Sequence, residues 1–229
     1  AISRLEELNV ETTRVRGGLR ALAGLPLVSL NLGETELSDQ ALAVLPELTA
    51  LERLSLFFCS LSGAGTRHLA PLRRLRELNL DSSEVDDRAL RPVAALTQLE
   101  RLDIFSARVT DAGLAELSPA LARLRSLDAC GGRIGDAGLA HVARLARLRR
   151  LNVGQNPRIT DEGCRGLAAL GDLEELNVSH TRATAAGVAG LVEALPRLRS
   201  VAMYGCDVAG GAAAMADHVR GRAGLVVRA

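Results

Sequence analysis

Apolar side chains return along this chain in one short phrase: apolar, two polar, apolar, polar, apolar. Its leading residue is Leu5, Leu27, Leu51, Leu75, Leu99, Leu124, Leu148, Leu173 and Leu198, at intervals of 22, 24, 24, 24, 25, 24, 25 and 25 residues. In the unit that begins at Leu99, Leu102 and Ile104 stand two residues apart. That spacing puts them on one face of an extended segment and the residues between them on the other. The phrase therefore predicts a short strand with one buried face.

A second phrase follows in most units: an apolar residue, a hydroxyl, then aspartate, as in Leu37-Ser38-Asp39, Val109-Thr110-Asp111 and Ile159-Thr160-Asp161. A capping hydroxyl with an acid in the first turn marks a helix start. Val109 with Leu114, and Leu37 with Leu42, form hydrophobic staples across it, and Leu114, Leu117 and Leu121 turn the helix back onto the core. Three units depart from the frame. Arg16-Gly17-Gly18-Leu19 is one residue short, and Gly63 and Ala185 stand where the aspartate is expected, which predicts looser caps there.

A strand and a helix in every unit, kept in register, stack as a parallel sheet on one side and helices on the other. Helices are about 10 Å wide and strands pair at about 4.8 Å, so the stack curves with its strands on the concave face. With nine copies, the chain from Leu5 to its C-terminus resembles the leucine-rich repeat family. The Thr-Asp-x-Gly-Leu segment, with Thr35, Cys59, Asn156, Thr181 and Cys206 at the ninth position, is similar to the cysteine-containing and ribonuclease-inhibitor-like classes, short bacterial variants included. The resemblance implies an α/β fold, a curved leucine-rich-repeat solenoid (a horseshoe) of about nine repeats with a parallel β-sheet on the concave face and short helices on the convex face. It also implies intracellular binding of a protein partner.

Residues 1–229 are expected to form a single solenoid belonging to a longer chain, with 198–229 as last repeat and C-terminal cap. In that cap, 212–219 reads as a final helix, and Leu225 and Val227 as an irregular closing strand. The first strand is expected to leave its sheet edge open.

Composition narrows the chemistry. The chain has 229 residues, 48% of them hydrophobic, which is enough for a substantial core. Its 28 basic residues are all arginine and stand against 27 acids, so no overall field recruits nucleic acid or a membrane. Without lysine there is no phosphate-loop lysine and no Schiff base. Cys59, Cys130, Cys164 and Cys206 form no CxxC pair, which argues against zinc and disulfides and for a reducing compartment. No apolar run reaches membrane-spanning length and no signal-peptide pattern opens the chain.

Equivalent positions of stacked units lie side by side, so each column of the repeat is a row on the surface. The third position reads Glu7, Ser29, Arg53, Glu77, Arg101, Ser126, Arg150, Glu175, Ser200, mostly a ladder of opposite charges. The fifth reads Asn9, Asn31, Ser55, Asn79, Asp103, Asp128, Asn152, Asn177, Ala202, a polar stripe suited to hydrogen bonding a partner. All four aromatic residues, Phe57, Phe58, Phe105 and Tyr204, fall at the seventh and eighth positions and none at a core-leucine position. Rings outside the core and rimmed by charge read as a binding hot spot. The expected partner-binding set is Arg53, Phe57, Phe58, Glu77, Asp81, Arg101, Asp103, Phe105, Asp128 and Tyr204. A second patch of Asn152, Gln155, Asn177, His180 and Tyr204 lies further along.

Catalytic groups do not converge. His68 and His141 share a helical position three units apart, His180 and His218 are isolated, and Cys59 and Cys206 lie six units apart. Cys59, Cys164 and Cys206 are expected to be buried, and Cys130, in the seventh column, to be exposed. Residues 121–170 carry nine arginines against four acids, a net +5, whereas 1–120 carry −4. That block is expected to be a solvated outer face. The functional expectation is a non-enzymatic interaction scaffold that binds a protein partner on its concave face. No catalytic residue, metal, cofactor, nucleic acid, membrane or small-molecule substrate is expected. Two narrower roles fit the same pattern: substrate recognition in a ubiquitin-ligase assembly or secreted bacterial effector, and a sensor or autoinhibitory arm of a larger switch protein.

Overall fold

In the computed structural model, which describes residues 3–15, 18–208, 222 and 224–229, each unit contributes one three-residue strand. The strands are β1 (Glu7–Asn9), β2 (Ser29–Asn31), β3 (Arg53–Ser55), β4 (Glu77–Asn79), β5 (Arg101–Asp103), β6 (Ser126–Asp128), β7 (Arg150–Asn152), β8 (Glu175–Asn177), β9 (Ser200–Ala202) and β10 (Val226–Arg228). They pair in chain order into one parallel sheet. The register is the expected one, with Leu30 beside Leu54, Leu54 beside Leu78 and Leu78 beside Leu102. The closing strand departs from expectation: β10 is regular and pairs residue for residue with β9, Val227 lying beside Val201. The expected helix over 212–219 lies outside the described residues.

The α-helices on the other side are α1 (Gly63–Thr66), α2 (Asp87–Leu90), α3 (Asp111–Leu117), α4 (Asp136–Val142), α5 (Asp161–Gly166) and α6 (Ala185–Ala194). The first two units carry tighter 3-10 turns instead, over Gly18–Leu22 and Asp39–Glu47, the second with Pro46 inside it. Proline withholds an N–H that a regular α-turn would use. Leucines at the predicted positions fill the interior, Leu27, Leu51, Leu75 and Leu99 being fully buried, and the apolar residues form one continuous core. Strands narrower than helices make the stack a curved solenoid.

Two devices hold neighbouring units together, and both explain residues in the repeat. At the ninth position, Thr35, Ser83 and Thr181 donate a hydroxyl to the carbonyl three residues back, while Cys59 and Cys206 donate to Leu32 and Val178 of the preceding unit. Asn156, fully buried, donates to three carbonyls and accepts from the Ile134 N–H. These groups satisfy backbone carbonyls that would otherwise be buried bare.

The second device is the aspartate after the cap. Asp87 accepts from the backbone N–H of Thr110 at 2.8 Å and from its hydroxyl at 2.7 Å, and Asp136 and Asp161 treat Thr160 and Thr184 in the same way. The aspartate of one unit thus orients the cap of the next.

Of the caps expected to be loose, that of the first unit involves residues 16 and 17, which lie outside the described residues, and those before Gly63 and Ala185 are intact. Ser62 accepts from the Ala64 N–H, and Thr184 from the Gly187 N–H. What Gly63 omits is the forward bond, and the following cap is Asp86, itself a carboxylate that accepts from Ala89. A second carboxylate at residue 63 would meet it with like charge.

Candidate functional site

The strands line a concave hollow of about 450 Å³ bounded by β2 to β6, with Arg53, Glu77, Arg101, Asp103, Ser126 and Asp128 on its wall. A smaller hollow of about 320 Å³ continues over β6 to β10. Third-position charges pair as the alternation predicts for Arg101 and Glu77 at 3.0 Å and for Arg150 and Glu175 at 3.9 Å. Arg53 instead reaches over Ser29 to Glu7 at 2.7 Å. These exposed pairs contribute roughly 0 to 1 kcal/mol each.

The polar stripe is less free than expected. Asn9, Asn31, Asn79, Asp103, Asp128, Asn152 and Asn177 each use Oδ1 to accept from the backbone N–H two residues later. That local turn needs only an acceptor, so asparagine and aspartate serve equally. Where Ala202 has no acceptor, the Tyr204 N–H turns to Ser179 Oγ at 3.1 Å. Only the second side-chain atom of each stripe residue remains for a partner. Asn31 spends its own on Glu11, and Asn152 and Asp128 spend theirs on each other.

Asp103 and Asp128 carry charge where neighbouring units carry amides. Burial pushes the Asp103 carboxyl up to about 6; the Phe105 N–H works against that rise, and the Asp128 and Asp81 carboxylates add to it. Asp128 is raised as well, again chiefly by burial, against the Asn152 and Cys130 bonds. The structure thus gathers Asp81, Asp103 and Asp128 into one acidic stretch beside Phe105. Among the described residues, no group of three or more His, Cys, Asp and Glu is arranged to hold a metal ion.

The aromatic residues stand outside the core, as their columns predict. Phe58 is 63% exposed and Tyr204 47%, while Phe57 and Phe105 are half-buried. The Phe57 and Phe58 rings lie 6.0 Å apart at 45°, and Phe105 lies two strands further on, beyond Asp81. Tyr204, just after β9, stands apart from this group and beside His180, whose backbone N–H donates to the Tyr204 carbonyl.

Cys130 corrects the expectation of exposure, being only 4% exposed. The seventh column is a shallow shelf on which short side chains sink: Gly33, Cys130, Gly154 and Ser179 are buried, and only longer side chains rise out. Burial, with Asp128 and Asp103 nearby, pushes the Cys130 thiol up to about 11, and Cys164 reaches about 12. Neither is an activated thiolate. Cys59 and Cys164 are buried as expected and Cys206 is half-buried.

Two features of the structure are not expected from the columns. Every eighth-position residue has a left-handed backbone: Thr12, Glu34, Phe58, Ser82, Ser106, Gln155 and His180 with φ between 51° and 59°, and Gly131 and Gly205 at 74° and 67°. From Thr12 to His180 the conformation aims the N–H at the seventh-position carbonyl of the next unit, as in Phe58 to Asp81 at 2.9 Å. The two glycines in that column are the sequence signal for it. The second feature is a row of charges at the second position, Glu52, Arg76, Glu100, Arg125, Arg149 and Glu174, that runs along the leading edge of the sheet.

Comparison with known proteins agrees with this architecture. The family model described as Leucine Rich repeat matches residues 147–168. Among solved structures, an internalin (inlF) from Listeria monocytogenes str. 4b F2365 superposes with a TM-score of 0.72 at 22% identity, covering 99% of this chain. The chain spans 61% of that protein's length. Internalin C2 (inlC2) from the same organism gives 0.63 at 20% identity, covering 97% of this chain and 80% of its own. No curated protein matches the sequence. The fold is that of a leucine-rich-repeat solenoid. Among the described residues no helix is long and apolar enough to cross a membrane.

Proposed function

We propose that this chain is a protein-interaction scaffold that holds a protein partner against the concave strands of units three to six. Phe57, Phe58 and Phe105 are the anchors, and Arg53, Glu77, Asp81, Arg101, Asp103 and Asp128 set orientation. The observation that carries this reading is Phe58: a large ring, 63% exposed, on a left-handed backbone where glycine serves two other units. A bulky residue in that conformation costs about 1 kcal/mol, and the exposed ring recovers little of it by burial. Aromatic anchors rimmed by charge are the usual composition of an interface centre. Tyr204, with His180, supports a contact at the far end of the same face.

Binding, rather than catalysis, accounts for the raised Cys59, Cys130 and Cys164 thiols. The four unpaired cysteines suit a reducing compartment. A recognition arm of a ligase or effector and a sensor arm of a switch protein would both use this surface, and flanking sequence separates them.

The test is affinity capture from native cells followed by calorimetry on the retained protein. The Phe57→Ala/Phe105→Ala variant is expected to weaken the complex by at least about a hundredfold, the loss of two hot-spot rings, with Tm nearly unchanged. Phe58→Gly is expected to weaken binding without loss of stability. Retained affinity in both variants would sink the reading.

A further inference from the structure

The second-position row is the ion-pair ladder of this molecule, and its alternation fails at one place. Backbone bonds of 2.7 to 2.8 Å join Glu52, Arg76, Glu100, Arg125, Arg149 and Glu174 in sequence, so each is the direct neighbour of the next. Arg76 bridges Glu52 at 3.5 Å and Glu100 at 2.7 Å. Between units six and seven, two arginines meet. Like charges side by side on adjacent strands are destabilising. They lean apart, Arg125 back to Glu100 at 3.6 Å and Arg149 forward to Glu174 at 3.6 Å, so that at this step the ladder has a gap where a carboxylate would stand between arginines.

The turn just before each of these strands repeats the clash. Arg123 and Arg147 occupy equivalent positions immediately before Leu124 and Leu148, and both are exposed. Among the described residues no carboxylate lies within 4 Å of either, whereas in the corresponding turns of the next two units Arg197 pairs with Asp172. Four arginines therefore stand two by two across one strand spacing of about 4.8 Å.

We infer that Arg123, Arg125, Arg147 and Arg149 form a clamp for the carboxylate side chains of an acidic polypeptide segment, on a surface separate from the concave face. The ladder shows what fits the gap, because everywhere else along it a glutamate carboxylate lies between or beside arginines. Guanidinium forks match carboxylates in geometry as well as charge. The clamp is also short, since Glu100 and Glu174 close it at either side. Those two carboxylates repel a continuous phosphate backbone but leave room for one or two acidic side chains.

The probe is a fluorescein-labelled oligoglutamate, titrated into the whole chain at about 150 mM salt, where exposed charges beyond about 8 Å are screened. An oligoglutamine of equal length and a single-stranded DNA oligonucleotide run beside it. Saturable binding of oligoglutamate alone is expected, weakened about tenfold or more by Arg125→Gln/Arg149→Gln, the loss of two charge-assisted contacts. Arg133→Gln/Arg182→Gln, which removes equal charge from exposed arginines elsewhere, is expected to leave affinity unchanged.

Equal losses in both double variants would overturn the clamp by showing diffuse attraction, and so would no saturable binding. Tighter binding of the DNA would overturn it in favour of a polyanion surface. A salt-sensitive dimer in sedimentation, lost in Arg125→Gln/Arg149→Gln and unable to bind oligoglutamate, would assign the clamp to a second copy and overturn this reading as well.

Discussion

Individual side chains on the concave face follow rules set by their backbone positions. The eighth position is left-handed in all nine units, yet seven of them carry a side chain there. Ser106, exposed and with φ at 55°, makes no side-chain hydrogen bond among the described residues that would be lost on substitution. Ser106→Gly is therefore expected to raise stability by about 0.5 to 1 kcal/mol in urea melts, relief of left-handed strain exceeding the entropy cost of glycine. Asp103 carries the opposite lesson, since its local turn asks only for an acceptor oxygen while burial penalises its charge. Its folded pKa of about 6 lies above the usual 3.8. Across that interval the native state holds the proton longer, so this group's contribution makes stability fall as pH rises from about 4 to 6 and leaves it lowered above that. Asp103→Asn keeps the acceptor and removes the charge. It is expected to raise Tm at pH 7.5 and to change it much less at pH 4, solvent screening of this half-buried group holding the gain to about 1 kcal/mol.

Strands, caps and helices were legible because their signals are local. Alternation placed the strands, the hydroxyl-aspartate pair placed the helix starts, and the leucine positions placed the core. The sequence marks the aspartate as a first-turn acid that complements its own helix, but in the structure its carboxylate reaches forward to the next unit's cap. The glycine of Thr-Asp-x-Gly-Leu has the matching reason. A Cβ at Gly163 would stand 2.3 Å from Asp136 Oδ1, whereas one at Gly166, later in the same helix, would meet nothing within 4 Å. Gly163→Ala is expected to cost about 2 to 3 kcal/mol by displacing a bonded carboxylate. Gly166→Ala is expected to be neutral or stabilising by up to about 1 kcal/mol, the helix-propensity difference. Equal effects in thermal melts would show that the glycine serves helix flexibility rather than contact with the preceding aspartate.

Because each unit touches only its neighbours, stability is close to a sum of unit and interface terms. Leu127 in β6 is buried between two neighbours, while Leu8 in the first strand is half-buried. Leu127→Ala is expected to cost about 3 kcal/mol and Leu8→Ala about 1 kcal/mol or less, read from urea denaturation. The linear text of the chain sufficed for the solenoid, its register, its leucine core and the exclusion of aromatic rings from that core. Those features depend on periods of two residues and of one unit, which a sequence displays directly. It did not disclose the depth of the seventh column, the burial of Cys130, the forward reach of the aspartates or the leaning apart of Arg125 and Arg149. Each of these depends on distances between side chains some 24 residues apart, and only the stacking of one unit on the next sets those distances.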